Sequence, residues 1–268
     1  MGRRNKYRNL GVVLVSFTAI FAVIAMIFET VCILFGYDPV MHVFKLGSKL
    51  GSASVAALFV LSIAAVTLAI CVGKLGKMRT KTHNGGIGDV ISSVGGFAMA
   101  ASSVMFLIES WGTAGLLKIF SIILVVLSIP VALYFLLGTE KNDRLTTVLS
   151  FFPPIWNAAC LIRLYFDSEA AINDPVRILL QVTLVSVMLA LMYDLKLRTM
   201  GTGKIMFTVT ASLSTVLACA SFMSIMLLFV VWKECTIADL LLSTGILLIT
   251  LYHLIRLNGY YKPIKERD

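Results

Sequence analysis

Charge is what this sequence has least of. Only 14% of its 268 residues are Asp, Glu, Lys or Arg, where a soluble domain usually carries about 25%. That shortage excludes a separate water-soluble domain, because too little polar sequence remains once the apolar runs are assigned. Metal ligands are also few. His42, His83 and His253 share no ligand spacing, the five cysteines are scattered, and no CxxC occurs. Neither a metal knuckle nor a disulfide framework is expected. Catalytic signatures are missing as well: no G-x-S-x-G, no H-E-x-x-H, no paired glutamates on a helix face and no Walker segment. The expectation is a chain without catalytic machinery or cofactor of its own, and any ATP-driven role would need a partner.

What is present is apolar. Hydrophobic residues make up 59% of the chain, and mean hydropathy is +0.93. The apolar runs are continuous rather than alternating, which argues against a membrane β-barrel. Each run is long enough for a helix to cross a hydrocarbon core of about 30 Å, a task for roughly 20 residues. Eight spans are predicted, at about 10–35, 52–73, 87–108, 114–138, 145–166, 176–194, 203–232 and 236–257. The fold class is therefore all-α: a polytopic transmembrane helix bundle forming one integral membrane domain over 1–268. The first span is too long for a signal-peptide core and is expected to be retained.

Orientation follows from the basic residues. Of the 23 Lys and Arg, all but Lys45, Lys49, Lys118, Arg163, Arg177 and Lys233 fall on one side of the eight-span reading. Both termini are then cytoplasmic in a plasma membrane. The net charge of +9 answers to this asymmetry and to anionic lipid, with no call for nucleic acid. Trp111 and Trp232 mark one interfacial belt, and Tyr193, Tyr252, Tyr260 and Tyr261 the other. Two halves, 1–140 and 141–268, share local strings. Tyr37-Asp38-Pro39-Val40 matches Asn173-Asp174-Pro175-Val176, and Lys77-Met78-Arg79-Thr80 matches Lys196-Leu197-Arg198-Thr199. A 4+4 parallel repeat is the implied arrangement. Asp174 as a cap with Pro175 in the first helical position would give the second Asp-Pro without ancestry.

The stretch Gly86-Ile87-Gly88-Asp89 has three readings. A phosphate loop fails because no strand precedes it and no Lys follows. A second reading is that it resembles the G-x-G-D element of intramembrane aspartyl proteases of the presenilin and prepilin-peptidase type, with Tyr193-Asp194 similar to their Tyr-Asp element. That resemblance implies two carboxylates sharing a proton to activate water. Here the two elements come in reverse order, and Pro130-Val131-Ala132-Leu133 is the nearest string to a Pro-Ala-Leu element. The third reading accounts for more residues. Gly88, Ser92, Gly96 and Ala100 recur every four residues, a stripe that lets helices approach closely in lipid.

Glu29 lies inside the first span, where an ionised carboxylate costs about 2.5–3.5 kcal/mol on insertion scales. Thr18, Ala22, Ala25, Glu29 and Cys32 share one helix face, so Glu29 is expected to point into the bundle. Span five carries Pro153, Asn157, Cys160 and Arg163 on a similar stripe, and Pro153-Pro154 should break it. A Glu29–Arg163 pair is one expectation. The functional expectation is a transporter or permease-like protein for a small molecule or ion. Its site would be formed by Glu29, Asn157 and Arg163 beside the break at Pro153 and Pro154. The alternative is a non-transporting sensor or assembly subunit, whose partner would be another membrane chain or a second copy of itself.

The segment PPIWNAACLIRLYFDSEAAINDPV, residues 153–176, resembles a part of small polytopic membrane proteins of low-GC Gram-positive bacteria to which no activity is assigned. The resemblance implies a fold type and a bacterial plasma membrane, and no site.

Overall fold

Each apolar run folds as helix, because only a helix satisfies its own backbone hydrogen bonds without water. The computed structural model describes residues 2–45, 49–75, 86–112, 115–137, 144–167 and 173–261, with side chains from Leu10 onward. The elements are α1 (Gly2–Gly36), a two-strand ribbon of β1 (Tyr37–Asp38) and β2 (Val43–Phe44), α2 (Leu50–Leu75), α3 (Ile87–Glu109), α4 (Leu116–Leu136), α5 (Arg144–Leu149), α6 (Phe152–Phe166), α7 (Pro175–Met200), α8 (Lys204–Leu227) and α9 (Ile237–Tyr260). A π turn, Leu228–Trp232, prolongs α8.

Among the described residues, eight stretches are long and apolar enough to cross a bilayer, the fifth formed by α5 and α6 together. The polarity of the packing fits that solvent. Phe59, Ile63, Val126 and Ile129 are exposed on helix faces, while Ser92, Ser102, Ser121 and Ser214 are buried. The molecule is a multi-pass membrane protein of all-α class.

The sixth run outlasts its expected end. α7 continues past Asp194 to Met200 and stops only where Gly201 takes a left-handed conformation, φ 67°, which glycine adopts without strain. Its start is set by Asp174, whose side chain accepts from the Val176 amide at 2.9 Å, with Pro175 in the first turn.

Span five is two helices. α5 ends at Leu149, Ser150 and Phe151 form a turn, and Pro153 and Pro154 stand at the start of α6. Prolines lack the N–H that would continue α5, and they suit a first turn whose amides have no helical partner.

α8 is the centre of the bundle. It packs against α1, α2, α7 and α9, and almost every residue from Phe207 to Ser221 is buried. Its hydroxyls mostly bond back to their own helix: Thr208, Thr210, Ser214 and Thr215 donate to carbonyls three or four residues earlier. A 4+4 repeat would make α3 the counterpart of α8. α3 packs against α4 and α9, so the two have different surroundings.

The stripe on α3 lies at a helix–helix contact. Gly88, Ser92 and Gly96 are buried and Ala100 is partly so. A Cβ on Gly96 would meet Phe135 of α4 at 2.9 Å. The closest contact of α3 is with α9 and uses the neighbouring Gly95 instead. A Cβ on Gly245 would lie 3.0 Å from the Met99 amide nitrogen and 3.2 Å from the Gly95 carbonyl oxygen.

The first span starts beside the end of the last. A Cβ on Gly11 would approach Cβ of Tyr261 to 2.6 Å, so the apolar part of α1, from Leu10, begins beside the place where α9 ends. We refer to this as the terminal end of the bundle. The basic segments 76–85, 138–143 and 262–268, on which the charge asymmetry partly rests, lie outside the described residues, as does the Lys77–Thr80 half of the repeat.

The tyrosine belt needs correction. Tyr252, Tyr260 and Tyr261 are buried, at 1%, 0% and 2% exposure. Their hydroxyls serve internal partners: Tyr252 meets Arg256, Tyr260 meets Asp194, and Tyr261 meets Thr208. Trp111 is exposed, with the Lys118 ammonium over its ring.

Candidate functional site

Among the described residues, polar side chains gather at several places within this apolar body. At the terminal end, Asp194 of α7 is clamped by two guanidiniums. Its Oδ2 accepts from Arg198 at 2.7 Å and from Arg256 at 2.8 Å, and its Oδ1 accepts from Tyr260 at 3.4 Å. A carboxylate so engaged has the form of a structural tie between α7 and α9. His253, one turn from Arg256, is fully buried, set edge-on against Phe207.

At the opposite end, loops are tied to helix starts. The Tyr37 hydroxyl donates to Asp174 at 3.2 Å and lies 3.4 Å from His42 Nδ1. His42 in turn stands 4.0 Å from Glu234. Burial raises the Asp174 carboxyl above its ordinary range, against the pull of the Val176 amide and the Tyr37 hydroxyl. Arg177 donates to the carbonyls of Leu164 and Asp167, closing the end of α6. A small cavity of about 110 Å³ opens among these groups. Among the described residues, no cluster of three or more His, Cys, Asp or Glu could hold a metal ion.

A third such place is Glu29. The small face of α1 is buried as a unit: Thr18, Ala22, Ala25, Glu29 and Cys32 are all at or below 4% exposure. Alanines let the helices close up, with Ala25 packed among Ala65 of α2 and Val216 and Ala220 of α8. Glu29 emerges where this seam widens. Its Oε1 accepts from Ser54 of α2 at 2.5 Å, and its Oε2 accepts from Ser224 of α8 at 3.2 Å. Among the described residues no cationic side chain lies within ion-pair distance of it.

Beside Glu29 lies a cavity of about 510 Å³. α1 and α8 form its floor, and α2 and α7 flank it. Among the described residues, Ser54 and Ser62 are its other polar side chains, and Leu58, Phe59, Val182 and Leu217 are among its apolar ones. The flanking residues Phe59 and Val182 are 66% and 48% exposed on the outside of the bundle. The cavity therefore opens sideways, toward lipid.

The sequence grouped Asn157 and Arg163 with Glu29, and the structure separates them. Neither lines this cavity. The Asn157 amide donates to the Pro153 carbonyl at 2.8 Å, within α6. Arg163 donates to Ser121 of α4 at 3.1 Å and stacks on Phe106 of α3 at 3.7 Å. A Glu29–Arg163 pair is not formed: α6 packs against α4 and α7, on the far side of α8's neighbours from α1. Ser54 and Ser224 were missed by the sequence reading. Ser224 was one of many hydroxyls in its span, and Ser54 carried no signal except its small size near the start of α2. Compared with known families, with curated proteins and with solved structures, the chain matches none.

Proposed function

We propose that this chain is a permease-like protein of a bacterial plasma membrane, with both termini cytoplasmic, and that its substrate occupies the Glu29 cavity. One observation carries the reading: a buried carboxylate, held by two hydroxyls and no cation among the described residues, faces a cavity of about 510 Å³. Ionisable groups inside membranes are costly and mark substrate or ion paths by default. The volume falls within the roughly 300–1,000 Å³ of small-molecule sites. In this reading Asn157 and Arg163 are supporting residues, Asn157 within α6 and Arg163 between α6, α4 and α3.

The alternative of an assembly subunit drew on the small-residue stripe of α3. Gly96 of that stripe packs on Phe135 of α4, which supports a role for it within the bundle.

Proteoliposomes offered a panel of labelled organic cations, anions and neutral solutes test the reading. Saturable uptake of at least one solute is expected, with a steep fall in Glu29→Gln, which keeps the shape of the side chain and one of its two acceptor oxygens. Uptake no faster than in protein-free vesicles, or equal in Glu29→Gln, would overturn it.

A further inference from the structure

We infer that the Glu29 cavity takes an amphipathic amine: one ammonium group against the carboxylate and one unbranched alkyl chain along the groove, reached sideways from the bilayer between α2 and α7. The inference rests on the substrate site proposed above and names its chemical class.

Charge selects the head. Among the described residues, Glu29 is the single ionisable one lining the cavity. A carboxylate offers about four acceptor positions, and Ser54 and Ser224 use two of them. An anion would be repelled, and a neutral head would leave the charge unpaired in a low-dielectric wall. An ammonium supplies the missing countercharge and donors for the remaining lone pairs.

Shape selects the tail. From Ser54 to Ser62 the groove follows α2 for about 12 Å at 1.5 Å per residue, away from the hairpin end and toward mid-bilayer. Its wall there is Leu58, Val182, Leu213 and Leu217. Head near the interface and tail toward the centre is the orientation such a molecule already has in its own leaflet. It can slide in without turning over. A depression at the hairpin end of the same rim carries Lys45, a like charge that disfavours approach from water.

Binding is measured on the full chain in phosphatidylcholine nanodiscs, with decylammonium as the probe and decanol and decanoate as controls. Decylammonium is expected to bind saturably and more tightly than either control. Binding should weaken at least roughly ten-fold in Glu29→Gln, as when a buried charge loses its partner, and partly recover in Glu29→Asp. Val182→Trp, which fills the groove and spares the carboxylate, should weaken it too. Gel filtration confirms that each variant is folded. Equal binding to wild type and Glu29→Gln, equal binding of decanol, or unchanged binding in Val182→Trp would each overturn the inference. So would displacement of the probe on adding phosphatidylethanolamine to the disc, since the occupant would then be a bilayer lipid. Binding without uptake in proteoliposomes removes the permease reading and leaves this one. Uptake of another solute without decylammonium binding does the reverse.

Discussion

Asp194 shows what a single buried residue can hold in place. Arg198 and Arg256 both end on its Oδ2, so its removal leaves two guanidiniums facing each other with little water. Breaking a buried pair costs about 3–5 kcal/mol. Asp194→Asn should therefore melt well below wild type in detergent, and a melting point within error of wild type would show that the clamp is not structural. Asp174 behaves differently. Burial raises its carboxyl in the folded state, so folding favours the protonated form. Its contribution to stability is present below the unfolded value of 3.8 and is lost as pH rises through the folded one. Asp174→Asn mimics the protonated form. Its melting temperature should change less than that of wild type across the acid range. Identical pH profiles would mean that Asp174 does not govern this stretch.

Helices meet at glycine where their backbones come closest. Adding a methyl at Gly245 pushes on the Met99 backbone, which cannot move aside as a flexible side chain can. Gly245→Ala should destabilise the α3–α9 pair by about 1–3 kcal/mol, read as a lower melting temperature. Gly86→Ala, where a Cβ meets nothing within 4 Å, should leave it unchanged. If both variants melted alike, close backbone approach would not be what holds α3 to α9. At this scale the sequence was informative in proportion to how local each signal was. Apolar run length and the Pro153-Pro154 pair spell out spans and the start of α6, because both act on their own backbone. The inward turn of Glu29 was readable from its small neighbours on one face. Its partners were not, since no local rule says that α2 and α8 bring Ser54 and Ser224 to α1. Arg163 was paired wrongly for the same reason: depth along a helix says nothing about direction around the bundle. Buried tyrosines at the terminal end passed for an interfacial belt because a polar tip on an apolar ring suits both places.

For the molecule as a whole, the contact of Gly11 with Tyr261 ties the first span to the last. Tags appended to the two ends should be labelled from the same side of intact cells or oriented vesicles. Labelling from opposite sides would contradict an even number of crossings. The central position of α8 has a consequence for how the protein is made. Synthesis runs from the amino end, yet the helix that α1, α2, α7 and α9 all touch is the seventh span to leave the ribosome. Until it arrives, the α1–α2 pair and the α6–α7 pair lack the helix that joins them, and Glu29 lacks the hydroxyl of Ser224. Nascent chains halted after Met200 should therefore be far more open to proteases and to membrane quality control than chains only one helix longer.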